Sequence, residues 1–136
     1  MIAFLDASAL IYLLEGTATL AERVRVALAE IERADPGARI ALSRLSWLEC
    51  RVKPMKDNDD ALLGRYDTFF SHADLQWIEL SRDVVELAAV IRAKHGLRTP
   101  DALQAASCLR CGPAHRLLTG DLGFQRVAGL HVVLMG

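Results

Sequence analysis

The chain has 136 residues, which is enough for one compact domain and too few for two ordinary ones. Apolar residues make up 52% of the chain and aromatic residues only 6%. This composition, rich in Ala, Leu, Val and Ile, favours buried parallel strands covered by helices. With 16 basic and 17 acidic residues, the net charge of −1 argues against a nucleic-acid binder that relies on overall positive charge.

The cysteines and the N-terminal residues indicate in which cellular compartment the protein is expected. Three cysteines are an odd and sparse set, unlike the paired cysteines of a secreted disulfide framework. The first residues lack the basic start of a signal peptide, and Asp6 interrupts their apolar run. No apolar stretch is long enough to span a bilayer. We therefore expect a cytoplasmic protein without a membrane anchor.

The first part of the chain alternates short apolar runs with amphipathic segments. This pattern predicts, in order, a strand over 2–5, a short helix over 9–15, a longer helix capped by Thr17 or Thr19 and ending near residue 34, a strand over 39–42, and a helix over 45–52. The stretch 53–60 contains Pro54 and a polar cluster, so we expect a loop there.

The same alternation continues to the C-terminus. It predicts a helix capped by Asp57 or Asn58 and reaching residue 70, and then a strand over 75–80. Two helices follow, one over 84–94 with Ser81 as cap and Gly96 as stop, and one with Thr99 as cap and Pro100 in its first turn. The last predicted elements are a strand over 116–119, a short helix over 121–127 and a strand over 131–135. Strands that alternate with helices predict one three-layer α/β/α domain over residues 1–136, with a central parallel sheet of four or five strands.

Four acidic residues occupy related places in this prediction. Asp6 ends the first strand, and Asp121 lies just past the fourth. Glu49 lies in the helix that follows the second strand, and Asp101 lies in the first turn of a later helix. Sites in open parallel sheets form at the carboxyl ends of the strands. We therefore expect the four carboxylates to converge at one edge of the sheet.

Each acid also has an ordinary structural explanation when it is taken alone. Asp6 and Asp101 are suited to cap helices, Asp121 is suited to a turn, and Glu49 could lie on a solvated helix face. As a group they point to chemistry, because carboxylates about 4 Å apart repel by roughly 4 kcal/mol at an effective dielectric of about 20. Cations or protonation relieve such repulsion. An all-oxygen set favours Mg²⁺ or Mn²⁺ over Zn²⁺, and such ions can activate water for phosphodiester hydrolysis.

Four segments around these acids resemble the motifs of PIN domains, and in particular of VapC-type toxins from VapBC toxin–antitoxin pairs. The four segments are Phe4-Leu5-Asp6-Ala7-Ser8-Ala9-Leu10, Ser43-Arg44-Leu45-Ser46-Trp47-Leu48-Glu49-Cys50-Arg51, Thr99-Pro100-Asp101-Ala102-Leu103-Gln104-Ala105-Ala106 and Leu118-Thr119-Gly120-Asp121-Leu122-Gly123-Phe124. The third segment is the most specific. All four stand in the order of the family and together span almost the entire chain.

This resemblance implies an Mg²⁺-dependent endoribonuclease that cleaves RNA phosphodiesters by means of metal-activated water. It also implies the toxin role in a type II toxin–antitoxin system. Asp6 and Asp101 match the principal metal-binding acids of the family, Glu49 matches the third acid and Asp121 the fourth. The resemblance therefore assigns these four residues both metal binding and catalysis, with Mg²⁺ or Mn²⁺ as the ion.

The resemblance extends to supporting residues and partners. Ser8 and Thr119 match small hydroxyl residues that support the metal-binding acids. Gly123 stands where many relatives have a further acid, which leaves the number of metal ions open. Family members are typically homodimers that act on RNA. A VapB-like antitoxin inhibits them by covering the groove with its C-terminal segment, often with a basic side chain among the acids.

Two further groups of residues have alternative interpretations. Arg44, Arg51 and Lys53 lie near Glu49 in sequence, so they either form a solvated helix face or contact RNA phosphates. The pair Cys108 and Cys111, with His115, could suggest a zinc or redox site, but half a motif at the end of a helix is better explained as core packing with incidental neighbours.

Three other functions are compatible with parts of this pattern. One is a PIN-fold nuclease that acts in RNA or DNA processing, and another is an inactive PIN module that only binds a partner. The third is a phospho-acceptor receiver, which would need an acidic pair after the first strand and a late lysine. Asp6 stands alone and no lysine follows Lys94, so the sequence argues against a receiver.

Overall fold

The computed structural model describes residues 1–136 and contains five strands and six α-helices. The strands are β1 (Ile2–Leu5), β2 (Arg39–Ser43), β3 (Gln76–Ile78), β4 (His115–Thr119) and β5 (Val132–Leu134). The helices are α1 (Ala7–Leu14), α2 (Ala18–Ala34), α3 (Arg44–Lys56), α4 (Asp60–Phe70), α5 (Arg82–His95) and α6 (Thr99–Leu109), followed by a 3-10 helix over Leu122–Arg126.

The five strands form one parallel sheet in the order β3-β2-β1-β4-β5. From β1 the chain builds the sheet outward in one direction through β2 and β3. It then returns to the other side of β1 for β4 and β5. The direction therefore reverses between β1 and β4, which is where open α/β sheets form their binding crevice. The predicted parallel sheet is confirmed, with five strands.

Alternating side chains of the central strands point into two separate cores. Ala3 and Leu5 pack with α1, α2 and α4 on one face of the sheet. Phe4 and Leu117 pack with α5 and α6 on the other face. Helices thus cover both faces, and the predicted three-layer α/β/α architecture is confirmed.

The longest helix, α2, shows why these amphipathic segments pack as they do. It begins after Thr17, whose hydroxyl accepts a hydrogen bond from the backbone N–H of Leu20. Val24, Ala27 and Ile31 recur at spacings of three and four, and all three are buried against the sheet. Its other face is polar, and no helix of the structure is both long and apolar enough to cross a membrane.

The predicted loop over 53–60 was wrong in its first half. Helix α3 continues through Pro54 to Lys56, although proline removes a backbone hydrogen bond from a helix. Pro54 is buried, so its apolar ring packs into the protein and offsets that loss. Helix α4 then begins after Asp59, which caps it, and not after Asp57 or Asn58.

Two helix starts also differ from the prediction. Helix α1 begins at Ala7, two residues earlier than expected, because Asp6 itself caps it. Thr99 does not cap α6; it is the first helical residue, and Arg98 precedes it without a side-chain capping bond. Pro100 fits the first turn of α6 because the N–H that it lacks would have no partner within the helix there.

Candidate active site

The four predicted acids meet at one edge of the sheet. Asp6 directly follows β1, and Asp121 follows the neighbouring strand β4 by two residues. Glu49 lies in the second turn of α3, which leaves the end of β2, and Asp101 lies in the first turn of α6. The charges of Asp6, Glu49 and Asp121 each interact with that of Asp101. The fold therefore brings these side chains close enough for their charges to interact, beside the point where the strand order reverses, and we call this group of four acids the acidic pocket.

Asp6 is the most buried of the four, with only 4% of its surface exposed. Its Oδ1 accepts hydrogen bonds from the Ser8 hydroxyl (2.6 Å) and the Ala9 N–H (2.9 Å), and its Oδ2 accepts one from the Thr119 hydroxyl (2.5 Å). Burial raises the pKa of Asp6 above its ordinary value, and the charge of Asp101 adds to the rise. The three hydrogen bonds act in the opposite direction.

The two hydroxyls that bind Asp6 also hold the loop after β4. Ser8 Oγ accepts a 2.9 Å hydrogen bond from the Gly120 N–H, and Thr119 Oγ1 accepts a 3.0 Å hydrogen bond from the Asp121 N–H. Ser8 and Thr119 therefore connect the carboxylate that ends β1 to the backbone that presents Asp121. This is the supporting place that the motif resemblance implies for both residues.

Gly120 allows this loop to lie against α1. A Cβ atom added at Gly120 would be 2.3 Å from the hydroxyl oxygen of Tyr12 and 2.7 Å from two ring carbons. The ring of Tyr12 therefore occupies the space that any larger residue would need. This pair was not predicted, because nothing in the sequence indicates that the two residues meet.

Glu49 is half-buried and is held by a partner on α6. Gln104 donates a hydrogen bond from Nε2 to Oε1 of Glu49 (3.1 Å). Burial raises the pKa of Glu49, and the charges of Asp101 and Asp6 raise it further. The Gln104 hydrogen bond and the charge of Arg98 oppose that rise. Gln104 was also missed; the available signal was an amide three residues after Asp101, on the same side of the helix.

Asp101 interacts both with the acids and with a cation at the rim of the pocket. Burial raises its pKa, as does the charge of Asp121, whereas Arg98 lowers it. Nε of Arg98 lies 3.5 Å from Oδ2 of Asp101, and the Arg98 side chain is largely exposed. Arg98 thus compensates part of the negative charge at the mouth of the pocket.

The donor set suits a hydrated divalent cation. No group of three or more His, Cys, Asp or Glu side chains is close enough together to enclose a metal ion directly. Mg²⁺ typically retains several water molecules and binds through one or two carboxylates, so it does not require such a closed cage. Burial, and to a smaller extent the charges of the neighbouring acids, raise the pKa values of Asp6, Glu49 and Asp101, and a bound cation would favour their charged forms.

Two of the three candidate RNA contacts are engaged within the protein. Arg44 forms a bidentate pair with Glu79 (2.7–3.2 Å), and its guanidinium stacks on Trp77 at 4.3 Å from the ring centroid. Arg51 forms an ion pair with Asp67 on α4. Both guanidinium groups would have to leave these acids before they could bind phosphate.

Lys53 differs from these two arginines. It is exposed and forms no ion pair in the structure. It lies four residues after Glu49, so the two side chains are neighbours on the same face of α3. An ammonium group beside the acidic pocket is suited to contact the backbone of a nucleic acid that enters it.

The cysteines and His115 each interact with the protein around them. Cys108 is buried in the core between the sheet and α6, and Cys111 donates a weak hydrogen bond to the Ser107 carbonyl (3.5 Å). Nδ1 of His115 lies 2.7 Å from the Gly112 carbonyl oxygen, and its Nε2 accepts a hydrogen bond from the His131 N–H. These contacts are those of packed structural residues.

Comparison with known proteins assigns the family. The PIN domain model matches residues 3–130, which is nearly the whole chain. This chain belongs to the PIN domain family. Its resemblance to PIN domains in four short motifs is thereby confirmed, and PIN domains are nucleases. Within this PIN domain, all four motif acids line the acidic pocket described above.

Several solved structures share the fold of this chain. VapBC2 from Rickettsia felis, bound to a DNA fragment from its promoter, has a TM-score of 0.78 at 18% identity, over 98% of both chains. A toxin–antitoxin complex from Klebsiella pneumoniae has a TM-score of 0.73 at 25% identity, also over 98% of both chains. FitAcB from Neisseria gonorrhoeae has a TM-score of 0.69 at 19% identity, over 99% of this chain and 98% of that chain. No curated protein matches the sequence.

Proposed function

We propose that this PIN domain, taken as one unit over residues 1–136, is a metal-dependent endoribonuclease and the toxin of a toxin–antitoxin pair. The observation that supports the nuclease chemistry is the convergence of Asp6, Glu49, Asp101 and Asp121 beside the reversal point of the sheet. Carboxylates with raised pKa values in one pocket are typical of sites that bind cations or transfer protons.

In this proposal the four acids hold Mg²⁺ or Mn²⁺. When bound, the cation supplies Lewis-acid activation of water and neutralises the charge of a phosphodiester. The protein positions the ligands: Ser8 and Thr119 hold the Asp6 carboxylate between them. Lys53, at the side of the pocket, binds the phosphate backbone of the RNA, with Arg44 and Arg51 as contacts only if their ion pairs open.

The toxin role rests on the relatives and on one exposed surface. The proteins named above include a toxin–antitoxin complex and VapBC2, and they match this chain over nearly its full length. Leu48, Val52 and Met55 form an exposed apolar stripe on α3, next to Glu49. An antitoxin segment with apolar side chains and one basic residue would fit this stripe and the acidic pocket together. We further propose a homodimer that acts in the cytoplasm, as the resemblance implies.

The direct test is cleavage of a structured RNA by the purified protein. We expect cleavage with Mg²⁺ or Mn²⁺, none with EDTA, and a loss of at least about 100-fold in Asp101→Asn. Glu86→Gln is the matched control, because Glu86 is an exposed acid on α5 that pairs only with Arg82. The proposed chemistry would be rejected if the wild type cleaved RNA equally well with EDTA and with Mg²⁺, or if Asp101→Asn cleaved it as fast as the wild type.

The toxin role needs a separate test in cells. Expression of the wild-type chain is expected to stop growth, and Asp101→Asn is expected to be harmless at the same protein level. Co-expression of the protein encoded by a short adjacent reading frame should restore growth. Growth arrest by both forms, or by neither, would reject the toxin role. The nuclease activity would then still be judged by the cleavage assay with purified protein.

A further inference from the structure

Gln104 lies on the inner face of α6 with only 2% of its surface exposed. Its Nε2 donates two hydrogen bonds to α3, one to Oγ of Ser46 (3.0 Å) and one to Oε1 of Glu49 (3.1 Å). Its carbonyl oxygen Oε1 is also buried but has no hydrogen-bond partner. The side-chain amide therefore donates to Ser46 and Glu49, both on α3, and leaves its carbonyl oxygen unpaired.

We propose that Gln104 is a positioning residue that holds the Glu49 carboxylate in place for the divalent cation. The inference rests on the proposed metal-dependent function. Glu49 is half-buried, and the negative charges of Asp101 and Asp6 repel its carboxylate. Without a restraint, a long side chain in this position would rotate towards solvent and away from the other acids. The Gln104 amide provides that restraint.

A purely structural role explains the amide poorly. The other buried residues of α6 are small or apolar, namely Ala102, Ala105, Ala106, Ser107 and Cys108. An apolar side chain of similar size could fill this place without burying an unpaired carbonyl, which disfavours folding. The two donor hydrogens are the part of the side chain that only an amide supplies, and one of them is directed at a predicted metal ligand.

Gln104→Met tests the role because methionine has a similar length and no donor. We measure Mn²⁺ affinity by electron paramagnetic resonance and thermal unfolding in EDTA. The affinity should fall by about 10- to 100-fold, as is usual when a partner of a metal ligand is lost. The melting temperature should be unchanged or higher, because the unpaired carbonyl is removed as well. Ser46→Ala is the matched control: it removes the other partner of Gln104 but leaves the bond to Glu49, so its Mn²⁺ affinity should equal that of the wild type.

A double-mutant cycle with Glu49→Ala shows whether Gln104 acts through Glu49. Once Glu49 is absent, Gln104→Met should have no further effect on Mn²⁺ affinity. An undiminished effect in that background, or wild-type affinity in Gln104→Met alone, overturns the inference. If Gln104→Met does not fold, Gln104→Asn takes its place, since it retains the amide but is one methylene too short to reach Glu49, and the same loss is expected. A wild-type protein that binds no Mn²⁺ would overturn the proposed function and this inference together, whereas unaltered binding in the variants overturns the inference alone.

Discussion

The hydroxyl of Thr119 donates a 2.5 Å hydrogen bond to Oδ2 of Asp6, between the ends of the adjacent strands β4 and β1. The same oxygen accepts a hydrogen bond from the N–H of Asp121. One side chain thus fixes the buried acid and the start of the loop that presents another. Because Thr119 is fully buried, water cannot substitute for its hydroxyl.

Thr119→Val is therefore expected to destabilise the protein although the change is nearly isosteric. It leaves Oδ2 of Asp6 buried without that donor, a loss that typically costs about 1–3 kcal/mol. Thr119→Ser retains the hydroxyl and should lose less than half as much. Urea unfolding in EDTA measures both values. Equal stability of the valine variant and the wild type would contradict the role of this hydrogen bond.

Gly120→Ala is expected to impair both folding and activity. The added methyl group would lie 2.3 Å from the Tyr12 hydroxyl, so the loop or the ring must move, at a cost of about 1–3 kcal/mol. Gly64→Ala is the control, because Gly64 lies inside α4 and an added Cβ meets nothing within 4 Å. That change should stabilise the protein by about 0.5–1 kcal/mol. Thermal unfolding and RNA cleavage are measured for both variants, and a fully active Gly120→Ala would argue against the contact.

Asp101→Asn is expected to abolish cleavage and yet to stabilise the metal-free protein near neutral pH. The folded-state pKa values of Asp6, Glu49 and Asp101 are raised, so the folded state binds protons more tightly than the unfolded state does. Stability therefore falls as the pH rises from the ordinary values of 3.8 for Asp and 4.5 for Glu through the raised folded values. Asp101→Asn removes one of these negative charges, so the stability of the metal-free protein falls less as the pH rises.

The gain should be at most about 1 kcal/mol, because solvent screens partly exposed charges. It is measured by urea unfolding in EDTA at several pH values, with Glu86→Gln as the variant that should show no gain. Saturating Mg²⁺ should stabilise the wild type by about 2.7 kcal/mol at 100 times its dissociation constant, and Asp101→Asn by less. A variant that loses stability in EDTA at neutral pH would show that Asp101 is not under electrostatic stress.

Lys53→Glu is expected to weaken RNA binding without changing the stability of the fold. Lys53 is exposed and unpaired, so its loss should remove about one phosphate contact and reduce the salt dependence of binding accordingly. Lys94→Glu, an exposed lysine at the end of α5, is the charge-matched control. Binding is measured with Asp101→Asn as the background, so that the RNA stays intact. Equal weakening by both changes would indicate a general charge effect and not a local contact.

The sequence was sufficient to predict the architecture and the places of the four acids in it, because both depend on local pattern. The role of these acids as metal ligands stays a prediction. Apolar runs followed by helix signals define the parallel sheet, and Asp6 and Asp121 stand where two of its strands end. The side-chain partners depend on distances between elements and could not be read in this way. Arg44 meets Glu79 from 35 positions away, and a pairing of that kind leaves no periodic signal.

Pro54 illustrates the same limit within a single helix. Proline usually ends a helix, so the sequence favoured a loop, but burial of the ring allows α3 to continue to Lys56. The extra turn brings Lys53 onto the helix, one turn beyond Glu49. Tertiary packing therefore decided the local structure and, with it, the position of a candidate RNA contact.

The place of β1 in the sheet has a consequence for synthesis of the chain on the ribosome. β1 is made first, yet one of its two neighbours, β4, begins only at His115. The polypeptide is synthesised from its N-terminal end, so Asp6 cannot contact Thr119 or lie beside Asp121 until most of the chain has been translated. Nascent chains that end before His115 therefore lack a finished acidic pocket, because they have no β4 to place Thr119 and Asp121 beside Asp6.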